Sequence, residues 1–112
     1  MDYESDSEWT IKGATFSDKA AREEFGITDD EIYAAIRAGK LHYREQSMHG
    51  NPWLRLLRRE VEALVAGKHG AKYLREQKAK TELAGINREL RRLKIQMAKL
   101  EARKAELTAG LK

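Results

Sequence analysis

The chain has 112 residues, 36% of them charged, and a formal net charge of +4. Two Phe, two Trp and four Tyr are too few to fill a large core, and without cysteine there is no disulfide framework, thiolate zinc site or cysteine nucleophile. No apolar run approaches the roughly 20 residues of a membrane span and no signal-peptide core follows the acidic start, so a soluble cytoplasmic protein is expected.

Charge is uneven along the chain: residues 1–16 sum to −3, residues 17–66 to −1 and residues 67–112 to +8. The basic tail points to a polyanion such as nucleic acid. Residues 1–14 read as an acidic arm, disordered over its first eight residues, that Trp9 and Ile11 could dock onto the body. A first helix fits Ser17 to Phe25, with Ser17 as N-cap and Ala20, Ala21 and Phe25 on one face. Gly26 stops it. Thr28 and Glu31 then form a capping box, and a second helix runs to about Ala38 with Ile32, Ala35 and Ile36 inward. Residues 41–57 read as a β-hairpin whose turn covers Ser47 to Asn51, and Pro52 starts the returning strand. A third helix begins near Arg58 and carries Val61, Leu64 and Val65 on one face. Gly67 and Gly70 suggest a joint, so residues 67–78 are expected as a basic hinge or collar, with Lys68, Lys72, Arg75, Lys78 and Lys80 nearby.

Beyond the joint the pattern changes. Leu83, Ile86, Leu90, Leu93, Met97, Leu100, Lys104, Leu107 and Leu111 follow alternating spacings of three and four, and Ala79 extends them backward. This is a heptad repeat with one polar interruption, Lys104, and it predicts a coiled coil over residues 79–111. A helix from 71 to 109 would be roughly 58 Å long at ~1.5 Å per residue. The oligomerisation residues would be Leu83, Ile86, Leu90, Leu93, Met97, Leu100 and Leu107. The number of chains and their orientation stay open.

Two short helices joined through Gly26-Ile27-Thr28 match helix-turn-helix geometry, and the hairpin would be a wing. The expected fold is mainly α: a winged helix-turn-helix over residues 15–66, then a long coiled-coil helix. Residues 15–64 resemble the winged helix-turn-helix of excisionase-like proteins in the MerR-like superfamily. The resemblance is carried by Thr15-Phe16-Ser17, Ala20-Ala21, Phe25-Gly26-Ile27-Thr28, Glu31-Ile32-Tyr33, Ile36-Arg37-Ala38-Gly39-Lys40-Leu41 and the stretch from Trp53 to Leu64 with Arg59-Glu60-Val61. It covers about 50 residues, less than half the chain.

That resemblance implies binding of double-stranded DNA. Carried across, the reading face would be Thr28, Asp29, Tyr33 and Arg37, with phosphate contacts from Lys40, Arg44, His49 and Arg55. The departure is Asp29-Asp30-Glu31, three carboxylates that suit a helix N-terminus but repel phosphate. Residues 17–36 sum to −4 and residues 37–66 to +3, so the module is polarised toward the wing.

His42, His49 and His69 have no metal-ligand spacing, and no phosphate loop or nucleophile motif is present. The sequence therefore predicts no enzyme, no metal, no cofactor, no small-molecule substrate and no membrane partner. The leading expectation is a homodimeric regulator or excisionase-like factor on duplex DNA, nucleoid-associated. The alternative is a degenerate helix-turn-helix that acts as a protein adaptor through its coiled coil. A phage terminase small subunit is a variant within DNA binding.

Overall fold

A computed structural model of the protein describes residues 8–111. The elements in chain order are β1 (Thr15–Ser17), α1 (Asp18–Phe25), α2 (Asp29–Arg37), β2 (Tyr43–Met48), β3 (Asn51–Leu57), α3 (Arg58–His69) and α4 (Ala71–Gly110). The protein is mainly helical, with a small three-stranded antiparallel sheet in the order β1-β3-β2 and a long C-terminal helix. The chain divides into two units, Met1–Lys78 and Ala79–Lys112. Among the described residues no helix is long and apolar enough to cross a membrane.

Caps fix the two short helices. The Ser17 hydroxyl accepts from the Ala20 N–H at 3.0 Å, so Ser17 both ends β1 and starts α1. Gly26 closes α1 at φ +68°, a conformation that costs a side-chain-bearing residue strain. At α2 the Glu31 N–H donates to the Thr28 hydroxyl and the Thr28 N–H donates to the Glu31 carboxylate, a reciprocal capping box.

The hairpin turn is tighter than the sequence suggests. Only His49 and Gly50 lie between the strands, both at positive φ, as a type I′ hairpin turn requires. Pro52 lies within β3 and faces Ser47, one pair in from the turn. In a two-residue hairpin that pair is not the hydrogen-bonded one, so the missing Pro N–H leaves the ladder to β2 intact. The third strand, β1, is an addition to the expected hairpin. Thr15, Phe16 and Ser17 pair with Leu57, Leu56 and Arg55.

Alternation along β3 sorts the sheet into two faces. Leu54 and Leu56, with Phe16 opposite Leu56, pack on a core of Ala21, Phe25, Ile27, Ile32, Ala35, Leu41, Val61, Leu64 and Val65. Each apolar side chain fully buried here contributes roughly 1.5–3 kcal/mol relative to an exposed one. Phe16 meets Phe25 edge-on at 6.2 Å, and the Arg58 guanidinium lies 4.4 Å over the Phe16 ring while holding Glu24. Trp53, Arg55 and Leu57 take the opposite face, away from that core. Trp9 and Leu57 are both buried but stand outside the main cluster. The arm therefore docks through Trp9, whereas Ile11 is 56% exposed. The part of the arm expected to be disordered falls almost wholly in residues 1–7, outside the described residues.

Residues 67–78 differ from the expected hinge. α3 continues through Gly67 to His69, and the helices are separated by one residue, Gly70, at φ +93°. The following turn packs inward: Tyr73 and Leu74 rest on the main core, and Lys78 binds Glu62 at 3.3 Å. The physical reason is that Tyr73 and Leu74 are the apolar residues of a stretch otherwise rich in charge, and the core edge covers them.

Candidate nucleic-acid interface

On α2, Ile32 and Ala35 are buried, which turns Asp30, Tyr33, Ala34 and Arg37 outward at helical spacing. This face carries one carboxylate near its start, an aromatic ring 45% exposed in its middle and a guanidinium at its end. Thr28 sits at the head of the helix, but its hydroxyl is engaged in the cap. Lys40 follows the end of α2 and lines an open cleft of about 480 Å³ with Arg59, Lys68 and Glu60.

The three carboxylates at the head of α2 are not equivalent. Asp29 receives a 2.6 Å hydrogen bond from the Arg22 guanidinium of α1. Glu31 lies 3.3 Å from the His69 ring nitrogen and 3.9 Å from the Lys68 ammonium, both at the end of α3. Burial pushes the Glu31 carboxyl up, but the His69 and Thr28 hydrogen bonds and the nearby Lys68 outweigh it and hold it below the usual carboxylate range. Two of the three negative charges are thus met by cations of the same unit, and Asp30 lies on the outward face.

Arg44 and Arg55 are direct cross-strand partners, so they share one face of the sheet. That face is the one opposite Leu54 and Leu56, whereas α2 packs on the Leu56 side. Like charges directly opposite one another destabilise a sheet unless each is engaged elsewhere. Here the Arg44 guanidinium lies 4.9 Å over the Trp9 ring and Arg55 Nε donates to the Thr15 hydroxyl at 3.0 Å. His49 stands at the hairpin tip. The structure therefore joins Tyr33 with Arg37, and Arg44 with Arg55, but puts the two pairs on opposite sides of the sheet.

Sequence reasoning did not find the partners Arg22, Lys68 and His69. His69 lies 38 positions from Glu31, and no local spacing rule connects them. Two further anchors came only from the structure. Arg59 binds Glu8 in a bidentate pair, which lowers the Glu8 carboxyl from its usual value. The His42 N–H donates to Glu60 at 2.8 Å, with its ring Nδ1 also on that carboxylate.

In the second unit, α4 buries no residue. Leu83, Ile86, Leu90, Leu93, Met97, Leu100 and Leu107 are 46–64% exposed on the single chain. Lys104 is exposed as well. Among the described residues, the ion pairs of this stretch lie within the helix, Arg92 with Glu89 and Arg103 with Glu106.

Compared with protein-family models, curated proteins and solved structures, the chain matches none.

Proposed function

We propose that the protein binds duplex DNA through a winged helix-turn-helix at residues 15–66 and does so as a coiled-coil homodimer. The observation that carries the reading is the solvent face of α2. Asp30, Tyr33, Ala34 and Arg37 project from a capped helix that a three-residue turn holds against α1, with a tight hairpin following. In helix-turn-helix proteins the second helix lies in the major groove, and an exposed, capped second helix supports that reading here. The internal pairing of Asp29 and Glu31 lowers the repulsion that their sequence implies. Arg37 and Lys40 take the phosphates, Tyr33 the base edges or sugar, and His49 at the hairpin tip a backbone contact. In this reading Arg44 holds Trp9 of the N-terminal arm and Arg55 holds Thr15 of β1, and their part in DNA binding is indirect. The resemblance to excisionase-like proteins agrees with this assignment, and regulation of transcription is the role it suggests.

The exposed heptads supply the second half of the reading. A stripe of seven large apolar residues on a helix without a core calls for another helix. Two linked modules raise a weak single contact into useful affinity through effective concentration.

The test is selection of bound duplexes from a randomised pool by the full-length chain at about 150 mM salt. An enriched motif present in two copies supports the reading. Absence of both enrichment and DNA retention overturns it and leaves a protein adaptor.

A further inference from the structure

The apolar stripe of Ala79–Lys112 has a register that specifies how a second copy lies on it. We propose that the occupant is a second copy of this chain in antiparallel orientation, centred on residue 95. The inference rests on the self-association half of the function proposed above. In an antiparallel pair each a position faces a d position of the other helix. Centred on residue 95, Leu83 meets Leu107, Leu90 meets Leu100, Leu93 meets Met97 and Ala79 meets Leu111. A slip of one heptad in either direction leaves part of the stripe uncovered.

Lys104 decides the orientation. In a parallel pair, Lys104 shares its layer with Lys104 of the second copy, and Arg103 flanks that layer on both sides. Four cations then converge on one point of the seam. In the antiparallel pair, Lys104 lays its stem on Ile86 of the second copy, and the two ammonium groups lie in separate layers. Glu89 of the second copy then flanks both Arg103 and Lys104. In the single chain Glu89 holds Arg92 and Arg103 holds Glu106, both within the helix.

The remaining flanks do not decide the matter. Glu89 with Lys94 favours the parallel form, and Lys94 facing Lys94 at the centre opposes the antiparallel one. Both are solvent-exposed interactions of small magnitude, whereas the Lys104 layer is within the seam. The antiparallel pair places Ala79 of the two copies at opposite ends of a coil about 48 Å long, at ~1.5 Å per residue.

The chain has no cysteine, so single cysteines report orientation without background. Leu90→Cys and Leu100→Cys variants of the full-length chain are oxidised separately and as an equimolar refolded mixture. Disulfide-linked dimer in the mixture, with monomer only in each variant alone, is the expected result. Linked dimer in each variant alone overturns the antiparallel arrangement while keeping self-association. No linked dimer in any sample, together with a monomeric mass for the unsubstituted chain by light scattering, overturns self-association itself.

Discussion

The Tyr73 hydroxyl donates to the main-chain carbonyl of Phe25 at 2.6 Å. Phe25 is the last residue of α1, where carbonyls lack intrahelical partners, so the first turn of α4 closes the end of α1. The same hydroxyl would lie 2.9 Å from a Cβ placed on Gly26, whose φ is +68°. Tyr73→Phe leaves that carbonyl without its donor and should cost about 1–3 kcal/mol. Gly26→Ala meets both the positive φ and the Tyr73 oxygen, and should cost at least as much as a bare left-handed alanine, about 1 kcal/mol. Thermal unfolding followed through Trp9 and Trp53 reads both variants. If Gly26→Ala in the Tyr73→Phe background is no less harmful than alone, the contact is irrelevant and only the backbone strain matters.

The Glu31 cluster makes stability depend on acid. Its folded carboxyl is held below the ordinary value of 4.5, so it contributes stability that is complete above that value. That contribution disappears as pH falls from about 4.5 through the lower folded value. Glu31→Gln removes the charge that Lys68 and His69 meet and weakens the capping box. The variant should be less stable than the parent at pH 7, and the gap should narrow as pH falls below 4.5. Urea melts at several pH values measure it; a gap independent of pH would show that the cluster adds nothing beyond the cap.

Much of this was legible in the sequence, for physical reasons that are local. Ser17, Gly26 and the Thr28–Glu31 box act within three or four residues, and the heptads repeat over seven. β1 was not legible: three residues form a strand only because Leu57, about 40 positions away, pairs with Thr15. Gly67 reads as a break but lies inside α3, because Val61, Leu64 and Val65 bury that helix firmly enough to override one glycine. Within the candidate site, Tyr33 and Arg37 on one face follow from helical period. The position of Arg44 and Arg55 depends on which sheet face the core takes, and that is a tertiary fact.

DNA affinity should respond in opposite ways to the two charges on the outward face of α2. Arg37→Ala should weaken binding about 5- to 100-fold if it meets a phosphate or base, and lower the salt slope by about one. Asp30→Asn removes the one carboxylate of that face and should leave affinity equal or raise it. Fluorescence anisotropy across a salt series distinguishes these outcomes. Weaker DNA binding by Asp30→Asn would instead mean that this carboxylate accepts from a cytosine amino group in the groove.

Charge reversal tests the coil independently of any DNA. In the antiparallel register Glu89 faces Arg103 of the second copy, so Glu89→Arg puts like charges together twice per dimer. Adding Arg103→Glu restores both pairs and should recover the lost dimer stability. In the parallel register Glu89 faces Lys94, and Arg103→Glu relieves the cations around Lys104 to the same extent whether or not Glu89 is reversed, so only the antiparallel register couples the two substitutions. Leu93→Glu goes further and places a carboxylate in the seam, which should yield a monomer. The core of the first unit contains no residue beyond Leu74, so its unfolding transition should persist. The helical signal of residues 79–110 should fall, since a lone helix without packing is marginal in water. DNA affinity of that monomer should drop by about 10²- to 10⁴-fold, the factor that linking two modules contributes. A Leu93→Glu chain that is monomeric yet binds DNA as tightly as the parent would mean that one module suffices.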